Sequence, residues 1–147
     1  MSKEFELFRS LFEDSPNIAI LNINNNCDDI ANELRDITNN TNGEFVLKQF
    51  SDIDLNRFKL KNRNFEYAII SNCLNGIQNQ DRFITGVYHS LENSAFIILI
   101  EPKQSSDISA MIDLLDRNNF RAVNDINIFD KYNLVMAKKL HMWGAGQ

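Results

Sequence analysis

Apolar residues follow two patterns along this chain, and the segments with one pattern alternate with segments that have the other. This order predicts strands that alternate with helices. Continuous apolar runs of strand length occupy residues 17–23, 44–50, 65–71 and 95–100. Elsewhere apolar residues recur every three or four positions, which is the spacing of one helix face. The helices predicted from this spacing cover residues 3–12, 28–37, 80–91 and 107–118. Two further apolar runs, 120–129 and 133–140, are separated by a short turn and predict an antiparallel pair.

The order of these elements predicts the fold class. Strands that alternate with helices favour a mostly parallel sheet, because the crossover helices cover its two faces. We therefore expect a three-layer α/β fold in which a twisted sheet of about six strands ends in an antiparallel hairpin. No repeat or linker divides residues 1–147, so we expect one domain, with an N-terminal amphipathic helix in residues 1–15 and a flexible tail at 141–147.

Composition and charge narrow the class of protein. A chain of 147 residues with 44% hydrophobic residues can bury a core without metal or disulfide support. The net charge of −5 disfavours a general nucleic-acid binder, which needs a basic face to neutralise phosphates. No apolar stretch approaches the roughly 18 residues of a membrane span, and the first residues lack the apolar core of a signal peptide. We therefore expect a cytoplasmic protein with two reduced cysteines.

The second half of the chain carries an ordered series of motifs. The segment FEYAIISNCLNGI begins at Phe65, RFITGVYHSLENSAFIILIEPK begins at Arg82, and ISAMIDLLDRNNFRAVNDINIFDKYNLVMAKK begins at Ile108. Their order resembles the C-terminal half of class I S-adenosylmethionine-dependent methyltransferases, in which a strand ending in Glu-Pro precedes a helix and a terminal hairpin. The resemblance covers about half of the chain. It implies a Rossmann-like methyltransferase fold, with S-adenosylmethionine as a possible cofactor.

The first half departs from the methyltransferase pattern where the methyl donor binds in the family. The family's first strand ends in an acid followed by a glycine-rich loop that passes under the donor. Here Asn22 takes the place of the acid, and Asn24 and Asn26 take the place of glycines. Asparagine adopts positive φ more readily than other non-glycine residues, so the turn can form. We expect its side chains to project into the space that a nucleoside needs, which implies a degenerate donor site.

A second departure is that this half is short. The family has two strands and a helix between its first helix and the strand that corresponds to residues 65–71, whereas this chain has one strand and a polar loop. The acid that binds the donor's ribose therefore has no counterpart. The resemblance leaves Asp52 as a loose match to the acid that contacts the adenine amino group. The candidate donor-binding residues are Asn22, Asn24, Asn26, Asp52, Ser71 and Asn72.

Few other residues carry recognisable chemistry. Glu101 follows the most apolar run, at the edge where open α/β sheets bind ligands, and is the candidate substrate residue. Cys27 and Cys73 are more typical of small buried residues than of nucleophiles, because no cationic partner accompanies them. His89 and His141 have no partner at ligand spacing, so we predict no metal site and assign no catalytic residue.

Two clusters raise the question of binding partners. Basic residues alternate in the polar loop, a pattern more typical of a solvated surface than of a phosphate site; they are Arg57, Lys59, Lys61 and Arg63. Aromatic residues near the two ends are candidates for self-association or for binding a protein partner; they are Phe5, Phe8, Phe12 and Trp143. A helix packed over one face of the sheet explains the first three more simply.

Three functional hypotheses follow. The first is a methyltransferase-like domain with a minimal or lost S-adenosylmethionine site; if active, it transfers a methyl group to a small molecule or protein mainly by positioning the reactants. The second is a non-catalytic interaction or regulatory module that kept the fold. The third is a receiver-like doubly wound domain, which is disfavoured because its third strand ends in Ser71 and Asn72, not in a phosphorylatable Asp.

Overall fold

The computed structural model describes residues 2–12, 15–60 and 64–140 and confirms the predicted order of elements. The helices are α1 (Lys3–Arg9), α2 (Asp28–Asn40), α3 (Gln80–Ser90) and α4 (Ile108–Arg117). The strands are β1 (Ala19–Asn24), β2 (Glu44–Gln49), β3 (Phe65–Ser71), β4 (Leu91–Pro102), β5 (Arg121–Asp125) and β6 (Tyr132–Lys138). The predicted tail at 141–147, with His141 and Trp143, lies outside the described residues.

The strands form one six-stranded sheet in the order β2-β1-β3-β4-β6-β5. Strands β2, β1, β3 and β4 run parallel to one another, whereas β6 runs antiparallel between β4 and β5. This confirms the predicted mostly parallel sheet with a C-terminal antiparallel hairpin. An antiparallel strand inside the sheet also distinguishes the fold from the all-parallel sheet of a receiver-like domain.

Alternation along the central strands produces two hydrophobic cores, one on each face of the sheet. Leu21 of β1 and Ile70 of β3 face the core that contains α3 and α4. Ile20 and Ile69, the residues just before them, face the core that contains α1 and α2. Both faces of the sheet are therefore covered, which is the predicted three-layer arrangement.

The aromatic residues of the N-terminal helix belong to the core. The Phe8 and Phe12 side chains are buried against the face that also carries α2, and their rings lie 5.3 Å apart in an edge-to-face arrangement. Arg9 binds the Glu33 carboxylate at 2.6 Å and also pairs with Asp36, which joins α1 to α2. The Phe8 and Phe12 rings are therefore packing groups, Trp143 lies outside the described residues, and self-association through the terminal aromatics stays a prediction.

The polar loop after β2 packs over the α3 side of the sheet. It contains two 3₁₀ turns, Phe50–Asp52 and Leu55–Arg57, and β2 is left at the edge of the sheet. The ring of Phe58 lies 4.8 Å from that of Phe83. Gly86 allows this contact, since a Cβ there would lie 2.8 Å from the Phe58 ring. Across the described part of the chain, no helix is long and apolar enough to cross a membrane.

Candidate functional site

The carboxyl ends of β1 and β3 form the point at which the chain direction across the sheet reverses. From β1 the chain passes through α2 to β2 on one side, and from β3 it passes through α3 to β4 on the other. Open α/β sheets bind ligands in the crevice outside such a switch point. The structure brings five of the predicted donor-site residues to this edge: Asn22, Asn24, Asn26, Ser71 and Asn72.

Asn22 and Asn24 form a buried hydrogen-bond network below this edge. Asn22 Nδ2 donates to the Ile69 carbonyl oxygen at 2.8 Å and to Ser71 Oγ at 3.1 Å. Asn24 Nδ2 donates to Asn22 Oδ1 at 2.9 Å and to the Cys27 carbonyl oxygen at 2.9 Å. The Cys27 backbone N–H donates back to Asn24 Oδ1 at 2.8 Å. The expectation that Asn24 projects towards a nucleoside was wrong, because its side chain points inward and is 1% exposed.

Asn25 and Asn72 bridge the two strand ends directly, and we call this pair the asparagine clasp. Asn25 Nδ2 donates to the Asn72 carbonyl oxygen, and Asn72 Nδ2 donates to the Asn25 carbonyl oxygen, both at 3.1 Å. The Asn25 backbone N–H also donates to the Ser71 carbonyl oxygen at 3.0 Å. Asn25 is not among the candidate donor-binding residues predicted from the sequence; its partner lies 47 positions away, and only the pairing of β1 with β3 brings the two together.

The predicted tolerance of asparagine for positive φ is confirmed at this edge. Asn26 has a φ of 61° and Asn72 a φ of 59°. Asparagine occupies this region at lower cost than other residues with a Cβ, so both turns form without glycine. Asn26 is exposed at the turn that leads into α2, whereas Asn72 holds its side chain in the clasp.

Asp52 does not join the other candidates. It lies exposed on the first 3₁₀ turn and lines a cleft of about 410 Å³ beside β2. Arg57 and Lys59 of the basic loop also line this cleft, whereas Lys61 and Arg63 lie outside the described residues. None of the asparagines at the switch point lines it, so Asp52 belongs to a separate surface.

Glu101 is buried at the end of β4 and holds the turn that follows β3. Its Oε2 atom accepts hydrogen bonds from the backbone N–H groups of Cys73 at 3.0 Å and Leu74 at 3.4 Å. Its Oε1 atom has no hydrogen-bond partner among the described residues. Burial raises the pKa of Glu101 to about 7, although the backbone N–H groups of Cys73, Leu74 and Asn72 oppose that rise.

The two thiols are unsuited to nucleophilic chemistry. Burial raises the pKa of both Cys73 and Cys27, and a buried thiol above its usual pKa carries little reactive thiolate. The Cys73 side chain is 0% exposed and lies 3.3 Å from the Ser71 carbonyl oxygen. Sequence reasoning missed Tyr132, whose pKa is raised first by burial and then by interaction with Cys27 and Asp29. In the described segments, no group of three or more metal-ligating side chains occurs.

Solved structures with the same architecture identify the fold. The chain superimposes with a TM-score of 0.72 and 9% identity on phosphoethanolamine N-methyltransferase 2 of Haemonchus contortus, covering 94% of this chain and 52% of that one. A S-adenosylmethionine-dependent methyltransferase of Aquifex aeolicus gives 0.64 at 12% identity, covering 92% of this chain and 89% of that one. The fold is that of a class I S-adenosylmethionine-dependent methyltransferase. No family model and no curated protein matches the sequence.

The similar structures establish the fold of this chain and not its reaction. The chain spans about half the length of the Haemonchus contortus enzyme, whose structure contains S-adenosylhomocysteine and phosphomonomethylethanolamine. A further neighbour of this methyltransferase fold, 1,6-didemethyltoxoflavin-N1-methyltransferase of Burkholderia thailandensis, also contains S-adenosylhomocysteine; it gives a TM-score of 0.62 at 12% identity, covering 94% of this chain and 79% of that one. At these identities the similarity establishes the fold alone.

Proposed function

We propose that this chain is a methyltransferase-fold domain that has lost its methyl-donor site and acts as a non-catalytic binding or regulatory module. The observation that carries the proposal is the asparagine clasp, which joins Asn25 to Asn72 across the switch point of the sheet. Open α/β sheets receive their ligands at that crevice. A donor bound there would have to displace two hydrogen bonds that close the crevice.

The buried network below the clasp supports the same conclusion. Asn22 and Asn24 are at most 1% exposed, and each side chain both donates and accepts hydrogen bonds within the protein. A ligand that redirected either amide would leave a buried polar group without a partner, which costs roughly 1–3 kcal/mol per group. The network therefore favours the closed arrangement over one that faces a nucleoside.

The end of β2 also lacks the chemistry that a nucleoside donor requires. The strand ends in Gln49 and is followed by Phe50, so no carboxylate is available at that point for ribose hydroxyl groups. The Phe50 ring packs on the turn after β3, where a Cβ on Gly76 would lie 2.8 Å from it. Apolar packing thus occupies the neighbourhood in which the methyltransferase resemblance places a ribose-binding acid. The residues present do not fit S-adenosylmethionine.

The competing proposal is an active methyltransferase with a minimal donor site, and its support is the fold itself. Thermal unfolding with and without about 1 mM S-adenosylmethionine or S-adenosylhomocysteine separates the two proposals. A ligand at a hundredfold its Kd adds about 2.7 kcal/mol to the free energy of unfolding, enough to raise Tm by several degrees. We expect no change in Tm for this chain. A parallel measurement on a methyltransferase of the same fold verifies that these ligand samples raise the Tm of a protein that binds them.

A dose-dependent rise in Tm with either ligand would overturn the proposal and favour the minimal donor site. The variant Asn25→Gly/Asn72→Gly then locates the binding. It removes both clasp side chains while glycine retains the positive φ that Asn72 requires. If the wild-type chain binds through the switch point, this variant must change the affinity. Binding that the variant leaves unchanged would place the ligand elsewhere.

A further inference from the structure

A second pocket lies at the carboxyl edge, beside the end of β4. It has a volume of about 170 Å³ and lies between the turn after β3 and the start of α4. Typical small-molecule pockets measure about 300–1,000 Å³, so this one fits only a small ligand. Its lining includes Asn75, Gln80, Glu101, Asp107, Met111 and Leu114.

One carboxylate oxygen in this pocket lacks a partner. Glu101 is 1% exposed, and its Oε2 atom is held by the backbone N–H groups of Cys73 and Leu74. Within the described residues, Oε1 of Glu101 is the buried side-chain polar atom that accepts no hydrogen bond. Buried acceptors in folded proteins nearly always meet a donor, so this atom is positioned to accept one from a ligand.

The other lining groups determine what kind of ligand fits. Gln80 Nε2 already donates to the Leu74 carbonyl oxygen at 2.9 Å, and Asn75 Nδ2 donates to the Ser105 carbonyl oxygen at 3.1 Å. The amide donors of the pocket are therefore engaged within the protein. Asp107 adds a second carboxylate, whose Oδ1 atom accepts from the Ser109 N–H at 3.0 Å and caps α4, and no lysine or arginine lines the pocket. Above about pH 7, where Glu101 is ionised, the pocket thus offers acceptors and negative charge, which complement a donor-rich cation.

We propose that this Glu101 pocket binds a small primary amine, whose ammonium group donates to Glu101 Oε1 while its short aliphatic chain packs on Met111 and Leu114. Charge-assisted hydrogen bonds of this kind are stronger than neutral ones, and the apolar side of the pocket buries the alkyl chain. The inference goes beyond the proposed function. Binding of S-adenosylhomocysteine would overturn the loss of the donor site without affecting the Glu101 pocket.

Titration of ¹⁵N-labelled protein with n-butylamine hydrochloride, followed by NMR, tests the inference. At pH 8 the amine is protonated and Glu101, whose pKa burial raises to about 7, is ionised. We expect saturable shifts at the backbone amides of Cys73, Leu74 and Asp107, with a Kd on the order of 1 mM for so small a ligand. n-Butanol and sodium butyrate at matched ionic strength are the neutral and anionic controls. Neither should shift these amides saturably.

Two variants connect any binding to the pocket. Glu101→Gln removes the charge, and Ala110→Leu fills the pocket from an exposed helix position where the substitution should not disturb folding. Each should weaken amine binding by at least about tenfold. Asp52→Asn, in the separate cleft beside β2, is the matched control and should bind like the wild type. The inference is overturned if butylamine gives no saturable shifts up to 50-fold the expected Kd (about 50 mM), if butanol binds equally well, or if Ala110→Leu binds unchanged.

Discussion

Two polar clusters occupy the carboxyl edge of the same sheet and differ in whether their hydrogen bonds are complete. At the switch point, Asn22 and Asn24 bond to each other and to backbone carbonyl groups, and the asparagine clasp joins the ends of β1 and β3. At the end of β4, Glu101 binds two backbone N–H groups but leaves Oε1 without a partner among the residues described. Buried polar groups that are fully paired stabilise a fold, whereas an unpaired group is available to a ligand.

The family would lead one to expect the open polar site at the switch point, whereas in the described part of this chain the unpaired polar group lies at the end of β4. The donor site of a methyltransferase fold belongs at the switch point, and there the asparagine side chains of this chain bind one another or neighbouring backbone carbonyl groups. Under the proposed function these bonds close the donor site, whereas the Glu101 pocket lies one strand away, at the end of β4. Four measurements test this contrast, beginning with the largest expected effect.

Loss of Asn22 should have the largest effect on stability. Asn22→Ala removes donors to the Ile69 carbonyl oxygen and Ser71 Oγ, and it removes the acceptor of Asn24 Nδ2. Buried groups left without partners should lower the free energy of unfolding by about 3–4 kcal/mol. Urea denaturation measures this loss. A change below about 1 kcal/mol would mean that the network adds little to the stability of the fold.

Glu101 should make stability fall as pH rises. Its pKa is raised from 4.5 to about 7, so the folded protein holds a proton that the unfolded chain has lost. The stabilisation is complete below pH 4.5 and is lost as pH rises through about 7, which amounts to about 3 kcal/mol. Unfolding of the wild type and of Glu101→Gln at several pH values should diverge by this amount. If the difference in free energy of unfolding between the two proteins does not vary with pH, the raised pKa of Glu101 is contradicted.

The asparagine clasp should contribute a smaller amount, because its members are only part-buried. Asn72→Gly removes one hydrogen bond but tolerates the φ of 59°, so we expect a loss of about 1 kcal/mol. Asn72→Ala removes the same bond and adds backbone strain, which should double the loss to about 2 kcal/mol. Equal losses for the two variants would show that the backbone at Asn72 is not held at positive φ.

Asn26 should contribute almost nothing, which makes it the matched control at the same edge of the sheet. It is exposed and has a φ of 61°, which glycine also adopts. Asn26→Gly should change the free energy of unfolding by no more than about 0.5 kcal/mol. A loss above about 1 kcal/mol would show that this asparagine takes part in the network after all.

The sequence predicted the layers of the fold more reliably than the contacts of the site. Apolar runs and helical spacing depend on local side-chain alternation, so they located every strand and helix to within a few residues. β4 begins earlier than predicted, because polar residues after Leu91 continue the strand past a register shift opposite Phe65. β5 ends at Asp125, earlier than predicted, and contains an irregularity between Arg121 and Asn124, where Ala122 has a φ of 54°.

The site itself depends on contacts that no local pattern encodes. Sequence reasoning identified asparagines at glycine positions but could not tell that Asn24 points inward. That orientation follows from the buried Asn22 and Cys27 groups that Asn24 binds. The position of Glu101 at the carboxyl edge was predictable from topology. Its missing partner was not, because that depends on how the turn after β3 presents its N–H groups.

The central claim, that the asparagine clasp closes the donor site, is tested most directly by NMR of the two clasp side chains. The Asn25 and Asn72 NH₂ signals can be followed while S-adenosylhomocysteine is added to ¹⁵N-labelled protein. Both side chains lie at the switch point where a donor would bind, so any occupancy must disturb them. The account predicts that both signals stay unchanged at a large excess of ligand. Saturable shifts of both signals would contradict it and restore the methyl donor to this edge of the sheet.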